Sequence, residues 1–179
     1  MFGSKNVEKE VVAAQAEFDF AKHSYGVHFQ TSMGSIRLKL FPEIAPKHCL
    51  NILGLAKIGF YDGIIFHRVV KEFVIQAGCP QGQGSGGPGY KVPAEFSPTK
   101  HKKGTLSMAR TSDPNSAGSQ FFLCLKEVPF LDNQYTVFGE ASDEESLSVI
   151  EAIGKVKTGS QDRPVEDVKI EKAEVLTLS

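Results

Sequence analysis

A mainly β fold, a closed eight-stranded antiparallel β-barrel capped by two α-helices, is what this chain predicts, and three observations carry that expectation. Eight short strand-like segments recur along the chain, and the first two alternate apolar and polar residues with a period of two, as half-buried strands do. Two longer segments repeat apolar residues at helical spacing between a start and a stop signal. Turn-rich stretches separate them, and eight strands that close on themselves enclose an interior that side chains can fill. With 179 residues, 41% hydrophobic and 23% charged, the chain can build one such core without metal or disulfide staples.

Taken in order, residues 1–24 are acidic and alanine-rich, with Val11, Ala14 and Phe18 at helical spacing. They read as an N-terminal extension, either a short helix or a frayed, disordered segment, since isolated helices of this length are marginal. The folded domain is expected over 25–179. From Val27 the period becomes two: Val27, Phe29 and Thr31 alternate with His28, Gln30 and Ser32, and Met33-Gly34 turns the chain into Ile36, Leu38 and Leu40, a β-hairpin with one buried face. Pro46 suits a first helical turn, after which Cys49, Leu50, Leu53 and Ala56 recur at helical spacing until Gly59. Strand-like runs follow at 64–69, 73–77, 104–109, 120–125 and 136–138. Ser142 and Glu145 read as a capping box that opens a second helix, with Leu147, Ile150 and Ile153 on one face and Gly154 as its stop. In the tail the apolar positions change parity, from Val168 and Ile170 to Ala173 and Val175 and then to Leu176 and Leu178, which predicts a strand with one or two bulges.

Composition excludes several classes. Twenty Lys+Arg against 21 Asp+Glu argue against a surface built for nucleic acid or anionic lipid. Cys49, Cys79 and Cys124 are widely spaced and form neither a disulfide framework nor a metal cluster, so no metal and no cofactor are expected. No apolar run approaches the ~20 residues that cross a bilayer, and the charged start at Lys5 to Glu10 lacks an apolar signal region. The expectation is a cytoplasmic protein with reduced thiols, monomeric because nothing marks an apolar interface. Gly82, Gly84 and Gly87 spell G-x-G-x-x-G, but no helical pattern follows to offer its N-terminus to a phosphate. Neither G-x-S-x-G nor H-E-x-x-H occurs, and the five histidines are scattered.

What stands out is single polar residues inside apolar strands: Phe66-His67-Arg68-Val69, Phe73-Val74-Ile75-Gln76-Ala77-Gly78, Leu106-Ser107-Met108-Ala109-Arg110, Gly118-Ser119-Gln120-Phe121-Phe122 and Phe130-Leu131-Asp132. The two-residue period places Phe66 with Arg68, Val74 with Gln76, and Gln120 with Phe122, each pair on one strand face. An arginine in such a strand is either paired structurally or aimed at a ligand, and the pattern alone leaves both readings open. Phe66, Phe121 and Phe138 read as core, whereas Phe73 and Phe122 read as core or pocket.

These strings, with Val137-Phe138-Gly139 after them, closely resemble the cyclophilin family of peptidyl-prolyl cis-trans isomerases over residues 25–179, in order and with similar spacing. The resemblance implies the family's eight-stranded barrel with two helices, and an enzyme that speeds rotation about X-Pro bonds in protein clients and assists folding. It implies Arg68 as the catalytic arginine, with Gln76 and Phe73 beside it, and Phe73, Val74, Phe122, Leu131 and Tyr135 as walls of a proline pocket. Gln76, Ala109, Arg110 and Gln120 fall at peptide-contacting positions, Phe130 at the pocket rim, and Gly84 in the loop flanking the groove. Many eukaryotic members have Trp where Phe130 stands, His at Tyr135, Met at Val74 and Asn at Arg110. The Phe130 and Tyr135 choices look like those of bacterial members. They imply weak cyclosporin binding, because Phe130 lacks the indole N–H donor. Implied partners are proline-containing peptides and unfolded or folding proteins. The rival reading is a non-catalytic scaffold or chaperone module that binds proline-containing segments.

Overall fold

The computed structural model describes residues 4–179, with eight β-strands and three α-helices among them. The hairpin forms where the alternation places it. Strands β1 (Tyr25–Thr31) and β2 (Gly34–Leu40) pair antiparallel from Gly26 opposite Lys39 to Thr31 opposite Gly34. Val27, Phe29, Ile36, Leu38 and Leu40 all face inward. Gly34 ends the turn at φ 129°, a conformation that side chains disfavour. The remaining strands are β3 (Arg68–Val70), β4 (Val74–Ala77), β5 (Thr105–Met108), β6 (Phe121–Cys124), β7 (Val137–Ala141) and β8 (Ile170–Thr177). They form one antiparallel sheet in the order β3-β4-β6-β5-β7-β2-β1-β8.

The barrel differs from the expected one in two respects. The sheet is open, not closed: β3 and β8 are its edges. Between them runs one isolated bridge, Ile65 to Lys169, with Phe66 N donating to Val168 O and Ile170 N to Ile64 O. The chain leaves strand geometry between this bridge and Arg68, so no continuous ladder spans the gap. The helices also number three. Besides α2 (Pro46–Lys57) and α3 (Glu144–Gly154), residues Ser4–Gln15 form α1. Its Val7 and Val11 are buried, and a Cβ at Gly54 of α2 would lie 2.9 Å from Val11 Cγ1, so the two helices touch nearly backbone to backbone. Burial of that stripe holds a helix that would be marginal alone.

Two local signals are displaced. The N-cap of α3 is Asp143, whose carboxylate accepts from Ser146 N at 2.7 Å, while Ser142 Oγ instead donates to Arg37 O. The short aspartate already satisfies a free helix N–H, so the Ser142 capping box is not used. In β8, Gln30 faces Lys172 but Thr31 faces Ile170, which leaves Glu171 as one extra residue. This single bulge is the cause of the parity change between Ile170 and Ala173.

The main core lies on the inner face of the sheet. Phe29 and Phe121 stack with ring centroids 5.3 Å apart, and Tyr61 meets both edge-on at 5.7 Å. The Tyr61 hydroxyl donates to Ser119 O at 2.9 Å, so its polar atom is satisfied inside the apolar interior. Phe66 and Phe138 complete this layer, both fully buried.

Candidate active site

A second, smaller apolar cluster forms on the opposite face of β4 and β6. It consists of Val74, Phe122, Cys124, Val128 and Leu131, with Phe73, Ala109 and Tyr135 packed against it and only partly buried. Alternation produces it directly: Ile75 and Phe121 enter the main core, so their neighbours Val74 and Phe122 must face outward. The 3-10 turn Pro129–Leu131 brings Leu131 onto this face and leaves Phe130 71% exposed, its ring stacked on Phe73 at 5.7 Å. Phe122 meets Tyr135 edge-on at 5.7 Å. The result is an apolar patch with an aromatic edge.

A polar row borders it. Arg68, Gln76 and Phe122 stand opposite one another across β3, β4 and β6. Arg68 Nη1 donates to Gln76 Oε1 at 3.3 Å, and Gln76 Nε2 donates to Gln120 Oε1 at 3.0 Å. Gln120 Nε2 in turn donates to the carbonyls of Gly84 and Gly86, both at 2.9 Å. Gly84 sits at φ 90°, a backbone that favours glycine. The bond to Gln76 occupies one of the five N–H donors of the Arg68 guanidinium, so donor capacity remains for a ligand. On the other flank, Arg110 Nε and Nη2 donate to Gln134 O at 3.1 and 2.7 Å and its guanidinium lies 4.4 Å above the Tyr135 ring. Arg110 thereby pins the segment that carries Tyr135, and Ala109 N donates to Gln120 O.

All twelve residues singled out in the sequence belong to the apolar cluster and its Phe130 edge, to the polar row beside it, or to the Arg110 flank. One face assignment needs correction. Phe66 and Arg68 do not share a face: Phe66 is fully buried in the main core while Arg68 is half-exposed in the polar row. The chain is not in strand conformation at Phe66 and His67, so the two-residue parity does not carry through. Val74 with Gln76, and Gln120 with Phe122, do share the side away from the main core.

The structure adds groups that no local pattern signals. His101 is buried and stacks on the back of Phe122 at 6.1 Å. Its Nδ1 lies 3.0 Å from Asp132 Oδ1 and its Nε2 2.9 Å from Ser107 Oγ. Burial, outweighing the Asp132 hydrogen bond, holds the imidazole's pKa below its ordinary value. Nδ1 donates to the carboxylate, which can only accept, while the Ser107 hydroxyl that lies against Nε2 gives its own proton to Thr136 O at 3.0 Å. The His101 backbone N–H also donates to Asp132 and is the first reason that this carboxyl's pKa is lowered. The partners stand 31 positions apart and leave no sequence motif. Asp132 directly follows Leu131, so this brace fixes both the back and one side of the apolar patch.

The comparisons with known proteins agree with one another. A family model described as cyclophilin type peptidyl-prolyl cis-trans isomerase/CLD matches residues 26–175. A peptidyl-prolyl cis-trans isomerase of Synechococcus elongatus is 48% identical over 124 residues, covering 69% of this chain and 85% of that protein. The crystal structure of a cyclophilin type peptidyl-prolyl cis-trans isomerase of Cryptosporidium parvum superposes with a TM-score of 0.80 at 32% identity, covering 88% of this chain and 99% of that one. A crystal structure of the same protein in the presence of the dipeptide Ala-Pro gives 0.77 at 34% identity, covering 86% and 99%.

Proposed function

The chain belongs to the cyclophilin-type peptidyl-prolyl cis-trans isomerases, and from that premise we propose that its reaction takes place in a groove along the apolar patch and polar row just described, with Arg68 as the donor that lowers the barrier. One observation carries this reading: the Arg68–Gln76–Gln120 row runs along the only apolar cluster, among the described residues, that lies outside the main core.

Rotation about an X-Pro bond is opposed by amide resonance, a barrier of about 18–20 kcal/mol. No covalent bond is made or broken. In the twisted transition state the prolyl nitrogen no longer shares its lone pair with the carbonyl and becomes a better hydrogen-bond acceptor. A donor aimed there stabilises the transition state more than either ground state. Arg68 suits that task because its charge is permanent and its donors are several. Gln76 accepts one of them and holds the guanidinium in place. Phe73, Val74, Phe122, Leu131 and Tyr135 grip the prolyl ring, and their apolar surface excludes water that would weaken the Arg68 bonds. Gln120, Ala109, Arg110 and Gly84 border the path of the extended peptide, and Phe130 lies over the ring's entrance. A thousandfold acceleration requires about 4 kcal/mol, within reach of a few oriented donors.

The clients that fit this groove are proline-containing segments of unfolded or folding proteins. The unit that acts on them is residues 25–179, a cytoplasmic monomer with residues 1–24 as an extension whose Val11 packs on Gly54 of α2. Cyclosporin binds weakly, since Phe130 offers no donor at the rim. The test is two-dimensional exchange NMR on a short X-Pro peptide with wild type and Arg68→Ala. Acceleration by the wild type and at least a tenfold loss in the folded variant is the expected result. Full acceleration by Arg68→Ala would move the chemistry to another group, and peptide shifts without faster exchange would make the groove a scaffold.

A further inference from the structure

Beyond Arg68, on the side away from the prolyl cluster, lies a cavity of about 460 Å³ whose walls include His67, Arg68, Gln76, Gly82, Gln83 and Arg163. It shares Arg68, Gln76 and Gly84 with the groove, so a peptide held there passes its mouth. We infer that this cavity is a subsite for an anionic side chain of the polypeptide substrate, a carboxylate close to the proline, gripped between Arg68 and Arg163.

Three observations carry it. Arg163 reaches the cavity from the 3-10 turn Ser160–Asp162, a region far from Arg68 in sequence, and its Nη1 donates to Gly82 O at 2.7 Å. That bond anchors the guanidinium at the cavity wall. Its other charged neighbour, Asp167, lies 3.8 Å from Nη2, beyond hydrogen-bond distance and half-exposed, so the remaining donors of the fork are not consumed. Second, His67 is 8% exposed, and its Nδ1 is buried with no hydrogen-bond partner. Burial first, then the fields of Arg163 and Arg68, hold its imidazole below the ordinary pKa. The imidazole thus adds no charge of its own, the two guanidinium groups set the field, and the unpartnered Nδ1 leaves one polar atom of the wall unused. Third, the lining charges favour an anion: Arg68 and Arg163 face one lining carboxylate, the exposed Asp162, with Asp167 outside the lining and 3.8 Å from Arg163.

A carboxylate is the ligand that matches two guanidinium forks, because each can offer it paired N–H donors. A peptide source is favoured over a free anion because the cavity opens on the groove, and one or two extended residues span only about 3.5–7 Å. The reading rests on the placement of Arg68 in the groove, and the experiment separates the two. Exchange NMR would give kcat/KM for four X-Pro peptides carrying Ala or Glu at the first or second position after proline, at 20 and 500 mM NaCl. The expected result is a Glu-over-Ala preference of about fivefold at one of these positions in low salt. The preference should collapse in high salt. Arg163→Gln should abolish it, and Arg163→Lys, which also loses the forked geometry but keeps the charge, should retain part of it. Turnover of Glu and Ala peptides within twofold of each other at both positions overturns the subsite while leaving the isomerase site intact. A preference that survives in Arg163→Gln overturns it as well. Unchanged turnover of the Ala peptides in Arg68→Ala is the separate result that would sink the groove assignment.

Discussion

Phe121 and Phe122 are adjacent on β6 and chemically identical, yet they belong to different parts of the molecule. Phe121 stacks on Phe29 at 5.3 Å and is filled in on every side by the main core. Phe122 faces the smaller cluster, with His101 behind it, the edge of Tyr135 beside it and the groove in front. Both are at most 5% exposed, so burial does not separate them. What separates them is whether the apolar surface around the ring is closed or ends at the protein surface beside a row of hydrogen-bond donors. A core aromatic contributes to stability through complete contact, whereas a pocket aromatic leaves one face for a ligand.

The largest expected effect tests this contrast directly. Phe121→Ala should lose about 3–5 kcal/mol of stability in urea denaturation, the usual cost of removing a core phenylalanine. Phe122→Ala should lose less than half as much while activity on an X-Pro peptide falls at least tenfold. Equal stability losses in the two variants would break the comparison. Next, Arg68→Ala should cost at least tenfold in kcat/KM, about 1.4 kcal/mol of transition-state stabilisation, with a urea midpoint close to wild type because the half-exposed guanidinium makes one bond to Gln76. A large stability loss there would make Arg68 a structural residue. Smaller again, Gln120→Ala removes the link from Gln76 to the Gly84 and Gly86 carbonyls. It should cost about three- to fivefold in activity, at roughly 1.4 kcal/mol per factor of ten, mostly in KM if the glutamine positions peptide rather than stabilising the twisted bond.

The mildest effect concerns pH. One buried histidine backs each apolar region: His101 behind Phe122, and His48 6.0 Å from Phe138 of the main core. For both, burial is the first cause that lowers the pKa from 6.5, opposed by the carboxylate partners Asp132 and Glu95. Above pH 6.5 both states carry neutral rings and the stability is fully present. As pH falls below 6.5 the unfolded chain takes up protons that the folded one refuses, so stability declines until the lower folded pKa is reached. The urea midpoint should therefore fall between pH 7.5 and 5.5. A flat profile would show that Asp132 and Glu95 fully offset the burial, and a midpoint that rises as pH falls would show that they hold the folded imidazoles charged.

Much of this was legible before any coordinates. The parity of Val74-Ile75-Gln76 and of Gln120-Phe121-Phe122 correctly grouped Val74 with Gln76 and Gln120 with Phe122, since a strand's side chains alternate by local geometry alone, but left open which face is core. The shift between Ile170 and Ala173 correctly announced a bulge, found at Glu171. The same reasoning misplaced Phe66 beside Arg68, because two residues between them leave strand conformation. It gave no sign of His101 with Asp132 or of Arg163 with Gly82, pairs 31 and 81 residues apart. It also counted two helices where the burial of Val7 and Val11 on α2 adds a third.

The sequence by itself thus determined which side chains share a face, where the hairpin turns and where α2 and α3 run, for these follow from periods and caps within a dozen residues. Only the tertiary structure decided that β3, β4 and β6 lie side by side, that the ladder stays open between β3 and β8, and that Arg163 arrives across the cavity from Arg68. Strand partners are chosen by which pairing buries the most apolar surface across the whole chain, and that choice is not written in any one segment.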